Sequence, residues 1–182
     1  RKENVFLLKG VTGSGKTEVY MHAVEHALAQ GRSAIVLVPE IALAMQMEKR
    51  FQNRFGAENV AILHSKLTTS KRLENWLRIR EGSAKVILGA RTAIFAPVTD
   101  LGLVVIDEEH ESTYKSDHNP KYETMDVAYK RAGTFGATVV LGSATPSVVS
   151  FYRASVGIYH LIELKNRVGK SRLPDVEIED IR

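Results

Sequence analysis

The stretch of sequence that decides the fold is Gly10-Val11-Thr12-Gly13-Ser14-Gly15-Lys16-Thr17. It fits the pattern G-x-x-x-x-G-K-[ST] of a phosphate-binding loop, and it lies between an apolar run at residues 5–9 and a helical pattern at residues 17–30. Glycines let the backbone curl until successive N–H groups face an anion, and the helix that follows adds its positive N-terminal end. We therefore expect residues 10–17 to bind the phosphates of ATP, with Lys16 at the β- and γ-phosphates and the Thr17 hydroxyl on Mg²⁺. The alternative is a glycine turn that binds nothing.

A group of acidic residues follows the apolar run LVVID at residues 103–107, where the chain continues as Glu108-Glu109-His110. Ligands of an open parallel sheet gather at the carboxyl ends of its strands, so acids belong there. We expect Asp107 to hold Mg²⁺ and Glu108 to polarise the water that attacks the γ-phosphate. Lys16, Asp107 and Glu108 are thus the predicted catalytic residues. The alternative is a solvated acidic turn, because three acids stand in a row.

Strands and helices alternate along the rest of the chain. Apolar runs predict strands at residues 5–9, 34–38, 60–64, 85–90, 103–107, 138–142 and 159–164. Period and end signals predict helices at residues 17–30, 41–55 and 70–81, and a last helix that has Thr145 as N-cap, Pro146 as first residue and Gly157 after its end. Continuous apolar strands separated by helices indicate an α/β domain, a mainly parallel sheet with helices on both faces.

Two helices have apolar faces that are expected to contact the core. The first helix presents one face made of Val19, Ala23, Val24, Ala27 and Leu28. In the third helix, Trp76 shares a face with Leu73 and Leu77, so it is predicted to anchor the helix rather than to stack on a nucleic-acid base.

Composition and charge narrow the class of protein. The 182 residues carry a formal net charge of +4, and residues 48–91 hold ten Lys or Arg against four Asp or Glu. That basic segment could bind an anionic polymer or could be a set of solvated helix faces, and charge alone leaves both open. The absence of cysteine excludes a disulfide framework and a cysteine-ligated zinc site in this chain. The absence of cysteine also fits a cytosolic protein. No apolar run is long enough to cross a bilayer, and the start does not have the pattern of a signal peptide.

Three further segments connect the phosphate loop and the DEEH box, residues 107–110, to a known family. They are LVPEIAL at residues 37–43, GARTAIFAP at residues 89–97 and GSATPS at residues 142–147. They look like motifs Ia, Ib and III of the superfamily two DExH helicases, which are P-loop NTPases with RecA-like lobes. Together with GVTGSGKTEVY, LHS and IDEEHESTYK, their wording resembles the bacterial primosomal replication-restart helicases from about Phe6 to the end of the chain.

The resemblance implies a motor lobe that uses ATP to move along single-stranded DNA with 3′-to-5′ polarity. It implies action at stalled forks in the bacterial cytoplasm, with single-strand-binding and primosome proteins as partners. By motif, Pro39, Glu40, Arg91 and Thr92 are expected to contact the DNA strand. His110, Ser143 and Thr145 are expected to couple the state of the nucleotide to the grip on DNA.

Residues 112–123 match an aromatic-rich loop that the family uses to couple DNA contact to hydrolysis. The segment contains Tyr114, Lys115, His118 and Tyr122. Aromatic faces stack on bases without sequence preference, and cations track phosphates. Tyr114, Lys115 and Tyr122 are therefore predicted to bind DNA, and an ordinary surface loop is the alternative.

The family also implies parts that lie outside this sequence. These are a second lobe with an arginine for the γ-phosphate, a glutamine segment upstream of the phosphate loop, a fork-binding domain and zinc-binding cysteines. We expect residues 1–164 to form the ATP-binding lobe and residues 165–182 to be a linker and the start of the second lobe. Alone, the lobe is expected to bind Mg-nucleotide weakly and to hydrolyse it poorly.

Several alternatives remain open. The leading one is a double-stranded DNA translocase of a restriction or repair system. A P-loop kinase or metabolic ATPase and a nucleic-acid-binding module with an inactive ATP site are further classes. His22 and His26 have the spacing of metal ligands, although no third ligand is evident, and surface histidines are favoured. His64 ends a predicted strand and suits a structural role or a strand-end site equally.

Overall fold

A computed structural model describes residues 4–168, which alternate strand and helix as the sequence predicts. The strands are β1 (Val5–Gly10), β2 (Ser33–Leu37), β3 (Val60–Leu63), β4 (Val86–Gly89), β5 (Leu101–Asp107), β6 (Thr138–Ser143) and β7 (His160–Leu164). The helices are α1 (Lys16–Ala29), α2 (Ile41–Phe55), α3 (Thr69–Arg80), α4 (Thr124–Phe135) and α5 (Val148–Ser155), with short 3-10 helices at Arg91–Phe95 and Ser112–Tyr114.

The seven strands form one parallel sheet in the order β3-β4-β2-β5-β6-β1-β7, which confirms the predicted fold class. Strands β5, β6 and β1 are neighbours, and their registers pair Asp107 with Gly142 and Lys9 with Ser143. The phosphate loop, the DEEH box and the GSATPS segment therefore leave the sheet side by side at its carboxyl edge.

Apolar side chains fill both faces of the sheet. One core contains Ile79 of α3 and Ala128 and Ala132 of α4, with Ala154 of α5 packed against it. The other core contains Tyr20 and Val24 of α1 and Phe51 of α2. Every residue of β2, with sequence SAIVL, is buried, as expected for a central strand that is covered on both sides.

The predicted burial of Trp76 is wrong. The exposed fractions are 37% for Trp76 and 56% for Leu73, whereas α3 buries Asn75 and Ile79. The reason is a tertiary contact. The Asn75 amide donates a hydrogen bond of 2.9 Å to the buried carbonyl of Ile62, and this contact turns the face of α3 that carries Asn75 towards the sheet. The apolar face of α1 is also only partly right, since Tyr20 and Met21 are buried while Val19, Ala23 and Leu28 are half-buried.

Two other helices differ from the sequence predictions. Helix α4 was not predicted at all, although Gly136 ends it in the left-handed conformation. Helix α5 begins at Val148, after Ser147 as N-cap, and not after Thr145. The Ser147 hydroxyl accepts a hydrogen bond from the amide of Ser150, while the amide of Thr145 is occupied by the Ser143 hydroxyl.

Between Asn4 and Val168, no helix is long and apolar enough to cross a membrane. Lys165 to Val168 follow β7 without helix or strand. The alternating fragment predicted around Val176 and Ile178 lies outside the described residues.

Candidate nucleotide and nucleic-acid site

The phosphate loop has the backbone that an anion requires. Gly13 and Gly15 have φ angles of 80° and 93°, which glycine adopts without strain. A Cβ on Gly10 would lie 2.4 Å from the Ser14 hydroxyl oxygen, so a side chain there would displace that hydroxyl from the loop. The Ser14 hydroxyl is buried and has no hydrogen-bond partner within the described chain. A tight loop with an unpaired buried hydroxyl fits a phosphate group.

Lys16 joins the loop to the DEEH box. Its side chain is buried, and its ammonium donates a hydrogen bond of 2.8 Å to the carbonyl of Gly10. The same ammonium lies 3.3 Å from Oε1 of Glu108. The cation and the predicted water-polarising acid therefore meet at the point where a γ-phosphate is expected. Thr17 stands beside Lys16 in the first turn of α1 and is half-buried.

Two tyrosines hold Asp107 in place. The Tyr20 hydroxyl donates to Oδ1 of Asp107 at 2.7 Å, and the Tyr114 hydroxyl donates to its carbonyl oxygen at 2.7 Å. Burial raises the pKa of Asp107, and the hydrogen bond from Tyr20 opposes that rise. No sequence motif indicates this role for Tyr20, although it stands one turn after Lys16 on the same face of α1.

Glu108 has an unusual backbone. Its φ of 46° is in the left-handed region, which a residue with a Cβ adopts at a cost of about 1 kcal/mol or more. Its Oε2 accepts a hydrogen bond of 3.4 Å from the amide of Ala144. The strained conformation turns the chain sharply at the end of β5, which lets Glu108 face Lys16 on one side and Ala144 on the other.

The predicted coupling residues lie together. His110 Nδ1 and the Ser143 hydroxyl share a hydrogen bond of 2.8 Å, and the Ser143 oxygen accepts from the amide of Thr145 at 3.0 Å. Between Glu108 and His110, Glu109 points the other way and is buried against the start of α5. From the sequence, Glu109 has no predicted role beyond its place in the DEEH box.

The aromatic-rich segment divides into a buried and an exposed part. Tyr114 is 2% exposed, so its ring cannot stack on a base, and the prediction that it contacts DNA is wrong. Its place is set by the hydrogen bond to Asp107 and by the buried Thr124, whose hydroxyl donates to the Tyr114 carbonyl at 2.8 Å. Lys115 is exposed and Tyr122 is half-buried.

Arg91 connects this segment to the predicted motif Ib. Its Nη1 donates to the carbonyls of Thr113 and Lys115, and its guanidinium lies 5.7 Å from the centre of the Tyr122 ring. Thr92 is exposed beside it. Pro39 and Glu40 lie where β2 leads into α2, and Glu40 is the N-cap residue of that helix. All of these residues follow the carboxyl ends of strands β2, β4 and β5, at the same edge of the sheet.

Protein side chains do not form a metal cage by themselves in the described part of the chain, where no three His, Asp or Glu cluster suitably. His22 contacts Glu25 and His26 contacts Gln30, which agrees with surface histidines. The Thr17 hydroxyl and the Asp107 carboxylate suit Mg²⁺ that arrives with a nucleotide, because both are oxygen donors beside the phosphate loop.

A parallel sheet with a phosphate loop after β1 and an acidic strand end beside it defines a P-loop NTPase domain of the RecA-like kind. Residues 1–152 match the family model of the DEAD/DEAH box helicases, so the chain belongs to that family. Membership implies the use of ATP with Mg²⁺.

Relatives and solved structures agree with the family. The chain is 50% identical over 181 residues to the replication restart protein PriA of Bacillus subtilis and 48% identical over 176 residues to that of Treponema pallidum. These matches cover 100% and 97% of this chain but only 22% and 27% of the two relatives. A structure of RecG bound to a three-way DNA junction matches 95% of this chain and 22% of that one, with a TM-score of 0.67 and 26% identity.

Proposed function

We propose that this chain is the ATP-binding motor lobe of an ATP-dependent DNA helicase that acts in replication restart and primosome assembly at stalled forks. The observation that carries the proposal is the meeting of Lys16, Glu108 and Ala144, because one acid touches both the phosphate-loop cation and motif III. Such an arrangement lets nucleotide chemistry and the DNA-contacting segments influence each other. The names of the PriA relatives support the restart role.

Each site residue has a role in this proposal. Residues 10–17 cradle the phosphates, Lys16 neutralises their charge, and Thr17 and Asp107 hold Mg²⁺, which supplies Lewis-acid stabilisation of that charge. Glu108 orients and polarises the attacking water. His110, Ser143 and Thr145 couple the state of the nucleotide to the grip on DNA.

The DNA strand lies along the carboxyl edge of the sheet in this proposal. Pro39, Glu40, Arg91 and Thr92 line its path, and the exposed Lys115 and the half-buried Tyr122 add a cation and an aromatic face. Tyr114 is a brace for Asp107 instead of a DNA contact. Binding is driven mainly by phosphate contacts, so it weakens with salt and ignores base sequence.

The finer parts of the proposal concern the complete protein. Movement runs 3′ to 5′ on single-stranded and forked DNA in the cytoplasm, with primosome and single-strand-binding proteins as partners. Zinc binds only outside this chain. Residues 1–164 form the lobe and residues 165–182 lead to a second one. The lobe alone turns over slowly because an arginine supplied from elsewhere is worth about 10³-fold or more in related NTPases.

The test is ATP hydrolysis by the full-length protein with and without single-stranded DNA at low salt. We expect strong stimulation by DNA, and strand displacement from forks whose loading tail has a free 3′ end. Glu108→Gln should bind ATP yet lose about 10²- to 10⁴-fold in turnover. Glu74→Gln, which changes an exposed acid paired with Lys71, is the matched control.

Each negative outcome has a distinct meaning. A healthy basal rate without DNA stimulation would contradict the helicase proposal and favour a metabolic P-loop enzyme. Stimulation without strand displacement would favour a double-stranded DNA translocase. Equal turnover in Glu108→Gln and the parent would remove the water-activating role of Glu108.

A further inference from the structure

The buried carboxylate of Glu109 holds the start of helix α5. Glu109 is 2% exposed, and its Oε1 accepts a hydrogen bond of 2.7 Å from the amide of Ser147. Its Oε2 accepts from the hydroxyls of Ser147 at 3.1 Å and Ser150 at 2.9 Å. A buried carboxylate is costly unless such donors satisfy it, and here three do.

The three residues after Asp107 form hydrogen bonds with different positions of motif III, residues 142–147. Glu108 accepts from the amide of Ala144, and His110 bonds to the hydroxyl of Ser143. Glu109 binds Ser147 at the far end of the segment, and its own amide donates to the carbonyl of Gly142 at 3.0 Å. Motif III is therefore fastened to the DEEH box at its beginning, its middle and its end.

Helix α5 packs on the domain through few buried side chains. Among its eight residues, all within the described range, Ser150 alone is fully buried. Val148 and Tyr152 are 87% and 62% exposed. A short helix with so little apolar burial is weakly held by packing, so the hydrogen bonds to Glu109 carry much of its placement.

We propose that Glu109 is a positioning residue that makes the DEEH box and helix α5 move as one unit, so that a displacement of α5 reaches Glu108 and His110. The side chain of Glu109 is enclosed by protein, so it acts through its hydrogen bonds to Ser147 and Ser150. The role in DNA-coupled turnover rests on the proposed motor function. The mechanical link itself rests only on the contacts of Glu109.

The experiment compares Glu109→Ala, Glu109→Gln and Ser150→Ala in the full-length protein. Glutamine keeps the length of the side chain, and its amide oxygen can accept from Ser147 while its amide nitrogen donates to the two hydroxyls. Alanine removes all three bonds. The matched control is Asn75→Ala, which also removes a buried hydrogen bond, from Asn75 to the carbonyl of Ile62, but on α3.

Two readouts are measured. The first is the ratio of DNA-stimulated to basal ATP hydrolysis, which we expect to fall about tenfold in Glu109→Ala, within the range of coupling residues. The second is hydrogen exchange of the amides at residues 147–151 without nucleotide or DNA, which we expect to accelerate about tenfold in the same variant. Glu109→Gln and Asn75→Ala should stay within about twofold of the parent in both readouts, and Ser150→Ala should lie between.

The outcomes separate the link from the motor function. If the parent shows no DNA stimulation, the motor proposal fails, and the exchange rates still decide whether Glu109 holds α5. Unchanged exchange at residues 147–151 in Glu109→Ala would overturn the link. A loss in Glu109→Gln as deep as in Glu109→Ala would also overturn it, because charge rather than geometry would then be required.

Discussion

The hydroxyl of Tyr20 lies 2.7 Å from Oδ1 of Asp107 and donates a hydrogen bond to it. Tyr20 belongs to the helix that follows the phosphate loop, and Asp107 ends the strand of the DEEH box, so the contact joins the two halves of the nucleotide site. Burial, together with the charge of Asp107, raises the pKa of Tyr20, which keeps the hydroxyl a donor. One carboxylate oxygen is thus fixed in place, and the other is left for the Mg²⁺ that we propose Asp107 to hold.

Tyr20→Phe tests this relationship because it removes only the hydroxyl. Loss of a residue that orients a metal ligand costs about 10- to 100-fold in metal affinity. We therefore expect the Mg²⁺ concentration for half-maximal ATP hydrolysis to rise about tenfold. Tyr129→Phe is the matched control, since its partly buried hydroxyl bonds to Tyr159 and not to Asp107. An unchanged Mg²⁺ requirement in Tyr20→Phe would show that Asp107 needs no brace.

Gly142→Ala tests the packing around Tyr20 and Asp107 from β6, the strand next to β5. A Cβ at residue 142 would lie 1.7 Å from the Tyr20 hydroxyl oxygen and 2.7 Å from the ring carbon that bears it. We expect a loss of about 1–3 kcal/mol in the free energy of unfolding of the 182-residue chain, measured in urea. The double variant Gly142→Ala/Tyr20→Phe should lose less than the sum of the two single variants, because the closest atom is gone.

Gly133→Ala supplies the control for the glycine variant. Nothing lies within 4 Å of a Cβ at residue 133, which is in helix α4. Alanine in a helix interior is more stable than glycine by about 0.5–1 kcal/mol, so this variant should gain stability. Equal effects at residues 133 and 142 would contradict the steric explanation.

The features of the fold that depend on residues close together in the chain could be predicted from the sequence. The phosphate loop and the apolar strands follow from spacing alone, and each predicted strand overlaps an observed one. Helix α4 escaped because Asp126, Lys130 and Gly133 interrupt its pattern, although Ala128 and Ala132 are four residues apart and buried.

The site contacts that sequence reasoning missed are long-range. Tyr20 and Asp107 are 87 residues apart in the chain, and Ser147 and Glu109 are 38 apart. No periodic pattern connects such positions, because they meet only when the strand order of the sheet places β6 between β5 and β1. The prediction for Tyr114 was wrong for another reason: its aromatic ring indicated a surface role, although its hydroxyl donates to the carbonyl of Asp107, only seven residues earlier in the chain.

Trp76→Ala measures how far tertiary contacts override an apolar pattern. The Trp76 ring is partly exposed, and the guanidinium of Arg80 lies 5.1 Å from its centre, a contact worth about 0.5–1 kcal/mol. We expect Trp76→Ala to cost about 1 kcal/mol of unfolding free energy. Ile79→Ala, at a fully buried position of the same helix, should cost about 2–5 kcal/mol. A larger loss of unfolding free energy in Trp76→Ala than in Ile79→Ala would show that α3 packs through Trp76, as the sequence predicted.

His64 makes the stability of the lobe sensitive to acid. Its side chain is buried at the end of β3, and its Nδ1 has no hydrogen-bond partner among the described residues. Burial lowers the pKa of His64, and the nearby charges of Lys66 and Arg72 lower it further, while Glu48 opposes them. Because the unfolded chain takes up a proton at about pH 6.5, the neutral folded histidine favours folding above that pH. This contribution is lost as the pH falls from there through the lower pKa of the folded state.

His64→Leu should remove that dependence, because leucine has no proton to gain. Urea unfolding of the 182-residue chain at pH values from 8 to 5 measures the effect. Above pH 7 the stabilities of the variant and the parent should run parallel, since His64 is then neutral in both folded and unfolded states. Below about pH 6.5 the parent should lose stability more steeply than the variant. If both lose stability equally in acid, other groups carry the loss, and the buried Nδ1 of His64 tolerates a proton in the folded lobe.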